Sequence, residues 1–354
     1  MRRDIGYVLA GLGTFLIVIA AVLPTYIAPS VIKWPLSKYL ATTLRASNAS
    51  YFSATSGSLV PGVTIEANYT FQGDKGKGTS STAVWNEFNY VHDVTHNVQI
   101  QVGTRTFAFD RKSAELVNCC GASVNGNPNV QQTGIAGYAF PIGTQKQTYM
   151  VYDVTAGKAE PFVYSGTATV NGIQTYKFAE NVAPTPATGE PVPANYENHV
   201  VYYVDPETGI PLNITEHEIL TQQSPAVTLF DANLAMTPSS INSLVSNDKT
   251  SRNNITLLRE ILPLGSGILG ALFLIVGALL SWRGPRKEVE SVRVVPTAPD
   301  PATRVAAAHS PTSAHAAGGE AQVSNGQANH EAKAPDAVTA QSPAADPEVK
   351  PGTE

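Results

Sequence analysis

The sequence predicts a mainly β domain flanked by two transmembrane α-helices: a curled antiparallel sheet, barrel-like or a sandwich, followed by a disordered C-terminal tail. Three observations lead there. Two uncharged apolar runs bracket the chain up to residue 282. The stretch between them alternates apolar and polar residues. Everything after the second run lacks aromatic residues and apolar periodicity.

The first run lies in "MRRDIGYVLAGLGTFLIVIAAVLPTYIAP". From Ile5 to Leu23 it carries no charge. As a helix it covers about 28 Å, close to the hydrocarbon thickness of about 30 Å. A cleaved signal peptide is the rival reading, because a basic start fits it too. Signal cores are shorter, at about 7–15 residues, and lead to a small-residue cleavage site. Here the apolar character continues through Tyr26, Ile27, Val31, Ile32 and Trp34. The second run, "ILPLGSGILGALFLIVGALLSW", extends from Ile261 to Trp282 and could span about 33 Å. Arg2 and Arg3 precede the first run, and Arg283, Arg286 and Lys287 follow the second. Basic flanks favour the cytoplasmic side, so both ends are expected inside and the middle outside. Glycines in both runs (Gly6, Gly11 and Gly13; Gly265, Gly267, Gly270 and Gly277) would permit close helix contact.

These signals divide the chain into a cytoplasmic N-terminus at 1–4, a first transmembrane helix at 5–28, an extracytoplasmic β-rich domain at 29–258, a second helix at 259–282 and a Pro/Ala-rich tail at 283–354. The tail is rich in small and polar residues and cannot bury enough surface to offset its ordering entropy.

Between the helices the period is two. "GVTIEANYTFQGD" sets Val63, Ile65, Ala67, Tyr69 and Phe71 against Thr64, Glu66, Asn68 and Thr70. "GTATVNGIQTYKFAE" places Asn171-Gly172 between two alternating runs, a hairpin signal. In "NHVVYYVDPETGIPLNITEHEIL" the turn Asp205–Gly209 separates two further strands. Helix-like periods are confined to the neighbourhood of the membrane runs, around 35–46 and 239–258. From Lys38 to Lys249 there are 11 basic and 17 acidic residues, with no basic cluster of the kind a nucleic-acid surface needs.

Cys119 and Cys120 are the only cysteines, and they are adjacent. Outside the cytoplasm disulfides persist. A ring between neighbours, bonds to another chain and free thiols all remain open. A ring needs a distorted peptide link, because neighbouring Cα atoms lie about 3.8 Å apart, below the usual disulfide range, and Gly121 eases the turn. Its job would be to lock that turn, since the loop it closes is too short to remove much unfolded-state entropy. Two thiolates alone make a poor zinc site.

Little points to catalysis. His92 and His96 in "HDVTH" would share a helix face, but their flanks read as strand, where they stand about 13 Å apart. A surface turn is the expectation. His199 and "EHE" (Glu216, His217 and Glu218) are expected on the solvent side of strands. The chain has no nucleophile elbow, phosphate loop or metalloprotease helix, so no catalytic residue, metal ligand or cofactor is expected. Asn48, Asn68, Asn213 and Asn254 lie in N-x-S/T triplets of the kind that arise by chance.

The layout, together with "FAFDRKSAELVNCCG", "FPIGTQKQTYMVYD" and "YYVDPETGIPLNITEHE", resembles an actinobacterial two-helix membrane family of formerly unknown function labelled porin PorA-like. The resemblance covers roughly residues 1–285. It implies a part in cell-envelope lipid or lipoglycan assembly beside a lipid exporter. "YYVDPETGIPL" is also similar to the strand–turn–strand of periplasmic lipoprotein carriers, which hold acyl chains inside a curled sheet.

The reading that follows is a membrane-anchored, non-enzymatic protein whose outer domain binds or hands on a lipid or lipoglycan intermediate, next to an envelope lipid transporter or synthase. Candidate lipid-lining residues are Val63, Ile65, Tyr69, Phe71, Phe107, Phe109, Tyr149, Val151, Tyr202 and Val204; the alternative is that they fill a solid core. Two rival functions remain: a scaffold of envelope growth machinery and an oligomeric porin-like channel.

Overall fold

The computed structural model describes residues 2–282, so the expected disordered tail lies outside the described residues. The chain enters through a long helix made of α1 (Arg2–Val22), a π-helical turn at Leu23–Ile27 and α2 (Ala28–Val31). It leaves through a longer one, α3 (Pro238–Thr256), a second π-helical turn at Leu257–Ile261 and α4 (Leu262–Trp282). Both are long and apolar enough to cross a membrane. Pro24 and Pro29 lack the amide hydrogen that a regular ladder needs, and Pro263 follows the second π-helical turn. The two π-helical turns touch each other.

α1 and α4 pack antiparallel along glycines spaced seven residues apart. A Cβ added to Gly13 would lie 2.7 Å from the Gly270 carbonyl oxygen, and one added to Gly277 would lie 2.7 Å from that of Gly6. Backbone therefore meets backbone at both points, and neither side can yield by rotating a side chain. The expected pairing rests on four glycines. Gly11 and Gly265 face open space, and Gly267 makes only ordinary contact with Ala20.

Between the helices lie β1 (Tyr39–Ser53), β2 (Ser58–Gly73), β3 (Thr82–Asp93), β4 (Val98–Asp110), β5 (Leu116–Val117), β6 (Ser123–Val124), β7 (Tyr149–Asp153), β8 (Lys158–Val170), β9 (Ile173–Pro186), β10 (Ala194–Val204), β11 (Pro211–Gln222) and β12 (Val227–Met236). They form one antiparallel curled sheet in the order β5-β4-β3-β2-β1-β12-β11-β10-β9-β8-β7, with β6 beside β4. Two meanders thus meet where the first long strand pairs with the last. Bulges in β1, between Ala46 and Ala49, help bend the sheet. A strap ties its free edges together: Leu116 N–H donates to Gly134 O, and Ile135 N–H donates to Met150 O, both at 2.8 Å.

The segment 35–46, expected as helix, is strand from Tyr39 onward. Its buried positions, Leu40, Thr42, Leu44 and Ala46, recur every second residue, and hydrogen bonds from both neighbours fix that register. The second helical expectation, 239–258, corresponds to α3. The strand signals at Asn171-Gly172 and Asp205–Gly209 are hairpin turns.

The concave face is filled at the end nearest the helices. Trp34 stands edge-on to Trp85 at 5.7 Å, and Trp85 edge-on to Phe109 at 5.2 Å. Phe140 stacks on Phe178 at 5.3 Å. The Trp34 indole N–H donates to Phe140 O at 3.0 Å, so the core aromatic also satisfies its polar edge. α3 caps this end, with Leu244 buried in the same core. Thr237 caps the helix by accepting from Ser240 N–H.

Arg252 of α3 bridges the β10–β11 turn, 2.8 Å from Asp205 Oδ1 and 2.9 Å from Glu207 Oε2. The Thr208 hydroxyl donates to the buried Asp248. Asp205 is fully buried, so the guanidinium neutralises a charge that water cannot reach.

Two outcomes are expected in the full chain. Gly270→Val should lower thermal stability in detergent by the equivalent of about 1–3 kcal/mol, while Gly11→Val, which meets nothing, should leave the melting curve unchanged. Arg252→Ala should cost about 2–4 kcal/mol in denaturant unfolding, because Asp205 then stays buried without its cation.

Candidate functional site

Farther from the helices the concave face is not filled. It leaves a chamber of about 130 Å³ lined by strands from both meanders and by the strap at Ala136–Tyr138. The alternation that builds the core continues here, but the inward positions change chemistry. On β11 the phase of Leu212 and Ile214 continues as Glu216 and Glu218 before returning to Leu220. On β9 Glu180 falls between Phe178 and Val182, and on β10 Asn198 falls between Tyr196 and Val200. On β4 Arg105 shares the phase of Phe107 and Phe109. Glu216 and Glu218 were expected on the solvent side; both line the chamber, and the histidine between them points out, 3.0 Å from Asp231.

Hydrogen bonds join one wall. Tyr196 donates its hydroxyl proton to Asp153 Oδ2 at 2.8 Å. Asn198 Nδ2 donates to the Tyr196 oxygen and to Glu216 Oε1, each at 2.7 Å. Asp153 Oδ1 accepts from Thr155 and Ala156 N–H, both at 2.8 Å. On the opposite wall Arg105 lies 3.6 Å from Glu87 and between the rings of Phe107 and Tyr152. Its Nε donates to Gln132 Oε1 at 2.7 Å. Gln132 is itself held by paired bonds with Asn118.

Several polar atoms have no partner. They include Glu180 Oε1, Arg105 Nη2, Asn198 Oδ1 and Asn89 Oδ1. Glu180 is 2% exposed, Asn198 3% and Arg105 6%. Buried polar atoms are almost always paired, so these groups call for hydrogen-bond partners inside the chamber, from water or from a polar ligand.

The electrostatics agree. Burial, reinforced by Asp153, Glu160 and Glu216, pushes the Glu180 carboxyl up to about 9. Burial raises Glu216 to about 7, against the Asn198 hydrogen bond, and raises Glu218 well above the carboxylate range with help from Glu216. Glu87 is raised by burial and pulled back by Arg105. Tyr69, Tyr138, Tyr196 and Tyr202 are held as neutral phenols by burial and by the carboxylates around them. At neutral pH the chamber therefore offers a protonated carboxyl, phenol hydroxyls, amides and one cation, a mixture of donors and acceptors beside aromatic faces.

Of the lipid-lining candidates, Tyr69, Val151 and Tyr202 face this chamber. Val63, Ile65, Phe71, Phe107, Phe109, Tyr149 and Val204 are buried in the hydrophobic core. Cys119 and Cys120 are joined to each other, with left-handed backbone at Cys120 and Gly121. They sit directly after Asn118, the residue that holds Gln132. His92 and His96 flank the β3–β4 turn, where His96 Nδ1 lies 2.6 Å from Asp93 Oδ2. No group of side chains suited to a metal ion occurs among the described residues.

The Porin PorA family profile matches residues 5–279, from the first helix to the second. The chain belongs to the Porin PorA family. A Porin PorA of Corynebacterium resistens is 31% identical over 99 residues, 27% of this chain and 24% of that relative. A Porin PorA of Corynebacterium amycolatum is 24% identical over 234 residues, 52% of this chain and 58% of the relative. The chain thus spans about a quarter and somewhat over half of the lengths of these two Porin PorA relatives.

Glu180 sets a pH expectation. Folding raises its carboxyl from the ordinary range to about 9, so the folded state holds a proton that the unfolded state has lost. Stability should fall as pH rises through that window. Glu180→Gln cannot ionise and should flatten the loss. Its Tm should match the parent at about pH 5 and exceed it by about 4–8 °C at about pH 8.5 in thermal scans.

Proposed function

We propose that this protein is anchored by both helices in the cytoplasmic membrane, with both ends inside and the β domain outside. There the chamber binds the polar end of a lipid or lipoglycan intermediate that an envelope transporter or synthase supplies or receives. The observation that carries this reading is the set of buried, unpartnered polar atoms on Glu180, Arg105 and Asn198, on residues that line one chamber between both meanders. A headgroup rich in hydroxyls would complete those bonds and lie against Tyr69 and Tyr202, while its hydrocarbon stays with apolar surface. Nothing in the arrangement calls for a covalent step; binding and release are sufficient. Basic residues beside both apolar runs support the orientation.

The family name favours a second reading, an oligomeric channel. The sheet offers it little support as a membrane-spanning wall. A membrane barrel presents an apolar outer band. Here the apolar phase faces in, and outward positions carry pairs such as Arg45–Glu66 and Thr43–Asn68. Helices from several copies would have to form the pore.

Native mass spectrometry of the full chain from its own membrane decides between them. A co-purifying lipid or glycolipid is expected. Arg105→Gln should reduce its occupancy by about tenfold, the worth of one charge-assisted contact. Absence of any bound lipid, together with unitary conductance in planar bilayers, would overturn the carrier reading in favour of the channel.

A further inference from the structure

A second concavity lies at the foot of the β domain. It is a groove of about 280 Å³ between the two helical stems and the near end of the sheet. Val31 and Ile32 come from the first stem, and Ile255 and Leu258 from the second. Trp34 and Ile210 close it from the sheet side. Leu258 belongs to the π-helical turn that opens onto α4, and Val31 ends α2, so the groove begins where the two apolar helices emerge. It has room for part of one acyl chain.

Its polar lining combines neutral Thr208, Ser251 and Asn254 with two cations. Lys33 and Lys38 both line it. Lys33 uses one of its donors on Ser80 O at 3.1 Å. The Lys38 ammonium is half-buried and has no hydrogen-bond acceptor among the described residues. Burial weakens its hold on the proton, against the pull of Asp248. Arg111 stands alongside, donating to Trp34 O at 2.6 Å and to Ser80 O at 3.2 Å. An apolar slot rimmed by cations at a bilayer surface matches an anionic amphiphile: hydrocarbon in the slot, phosphate at the rim.

We propose that this groove seats an anionic phospholipid from the leaflet on the β-domain side, its phosphate held by Lys38 and Lys33 and one acyl chain laid between the stems. The site is separate from the chamber and does not depend on the carrier reading. Lys38 supplies the specificity, because a half-desolvated cation gains most from an anion that arrives with its own apolar cover. The lipid fixes the β domain to the bilayer at a set height, with Trp34 as the floor of the slot.

The test uses the full chain in nanodiscs of phosphatidylglycerol and phosphatidylcholine in equal parts, released into native mass spectrometry. One phosphatidylglycerol should be retained in preference to phosphatidylcholine. Lys38→Ala should cut that preference by about fivefold, and Lys33→Ala by a similar or smaller factor. Ile255→Trp, which fills the slot, should abolish retention with both lysines in place. Arg105→Gln, which lowers occupancy of the chamber, should leave phosphatidylglycerol retention in the groove unchanged, so a failed chamber and a failed groove are told apart. Equal retention of both lipids, a preference unmoved by Lys38→Ala, or displacement by inorganic phosphate alone would overturn the proposal.

Discussion

The pairing of β1 with β12 is the constraint on which the architecture turns. It joins the strand that follows the first helix to the strand that precedes the second. The two helices must therefore leave the sheet side by side, and their glycines complete what the strands begin. Gly6 against Gly277 and Gly13 against Gly270 let two backbones approach as closely as peptide groups allow. The contact is non-local, since the two strands are separated by the rest of the domain. The concave face is assembled from both meanders and is continuous only through that pairing.

That shared face explains why the chamber can be polar. A sheet that only had to bury itself would continue Leu212 and Ile214 with further aliphatic residues. Glu216 and Glu218 stand there instead, on the same wall as Glu180 and across the chamber from Arg105. Each buried carboxyl costs stability, and burial keeps Glu180 and Glu218 protonated at neutral pH. The filled half of the sheet, from Trp34 to Phe178, carries the opposite role. Its aromatic contacts offset the cost of a half that holds unpartnered polar atoms.

Much of this was legible from residues alone. Both helices, the hairpins at Asn171-Gly172 and Asp205–Gly209, and the curled antiparallel sheet follow from period and turn chemistry. The chamber had a signal too: charges in the apolar phase of a strand. Glu180 between Phe178 and Val182 is plain once the phase is fixed, but phase is set by pairing, and a one-residue slip would place every such charge in solvent. Hence "EHE" read as surface. The helix expected at 35–46 failed for a related reason, because a short stretch of Leu36, Leu40 and Leu44 fits a helical stripe and a strand alike until β2 and β12 choose between them. The role of Gln132 left no local mark. Its bonded partners, Arg105, Thr106 and Asn118, lie 27, 26 and 14 residues away in sequence.

α3 is the element through which membrane and chamber share one framework. Its first turn is bonded to β1 through Thr43 N–H and Ser240 Oγ at 2.9 Å. Its middle places Leu244 in the core, and its last turns hold Asp205 and Glu207 through Arg252 before the chain runs unbroken into the π-helical turn and α4. A displacement of α4 relative to α1 would be carried by a continuous helix to the β10–β11 turn, and β10 and β11 carry Tyr196, Asn198, Glu216 and Glu218. The same helix forms one wall of the basal groove with Ile255. The foot of the domain and one wall of the chamber thus share a helix that is fastened to the sheet at three levels: the Thr43–Ser240 bond, Leu244 in the core, and Arg252 on Asp205 and Glu207.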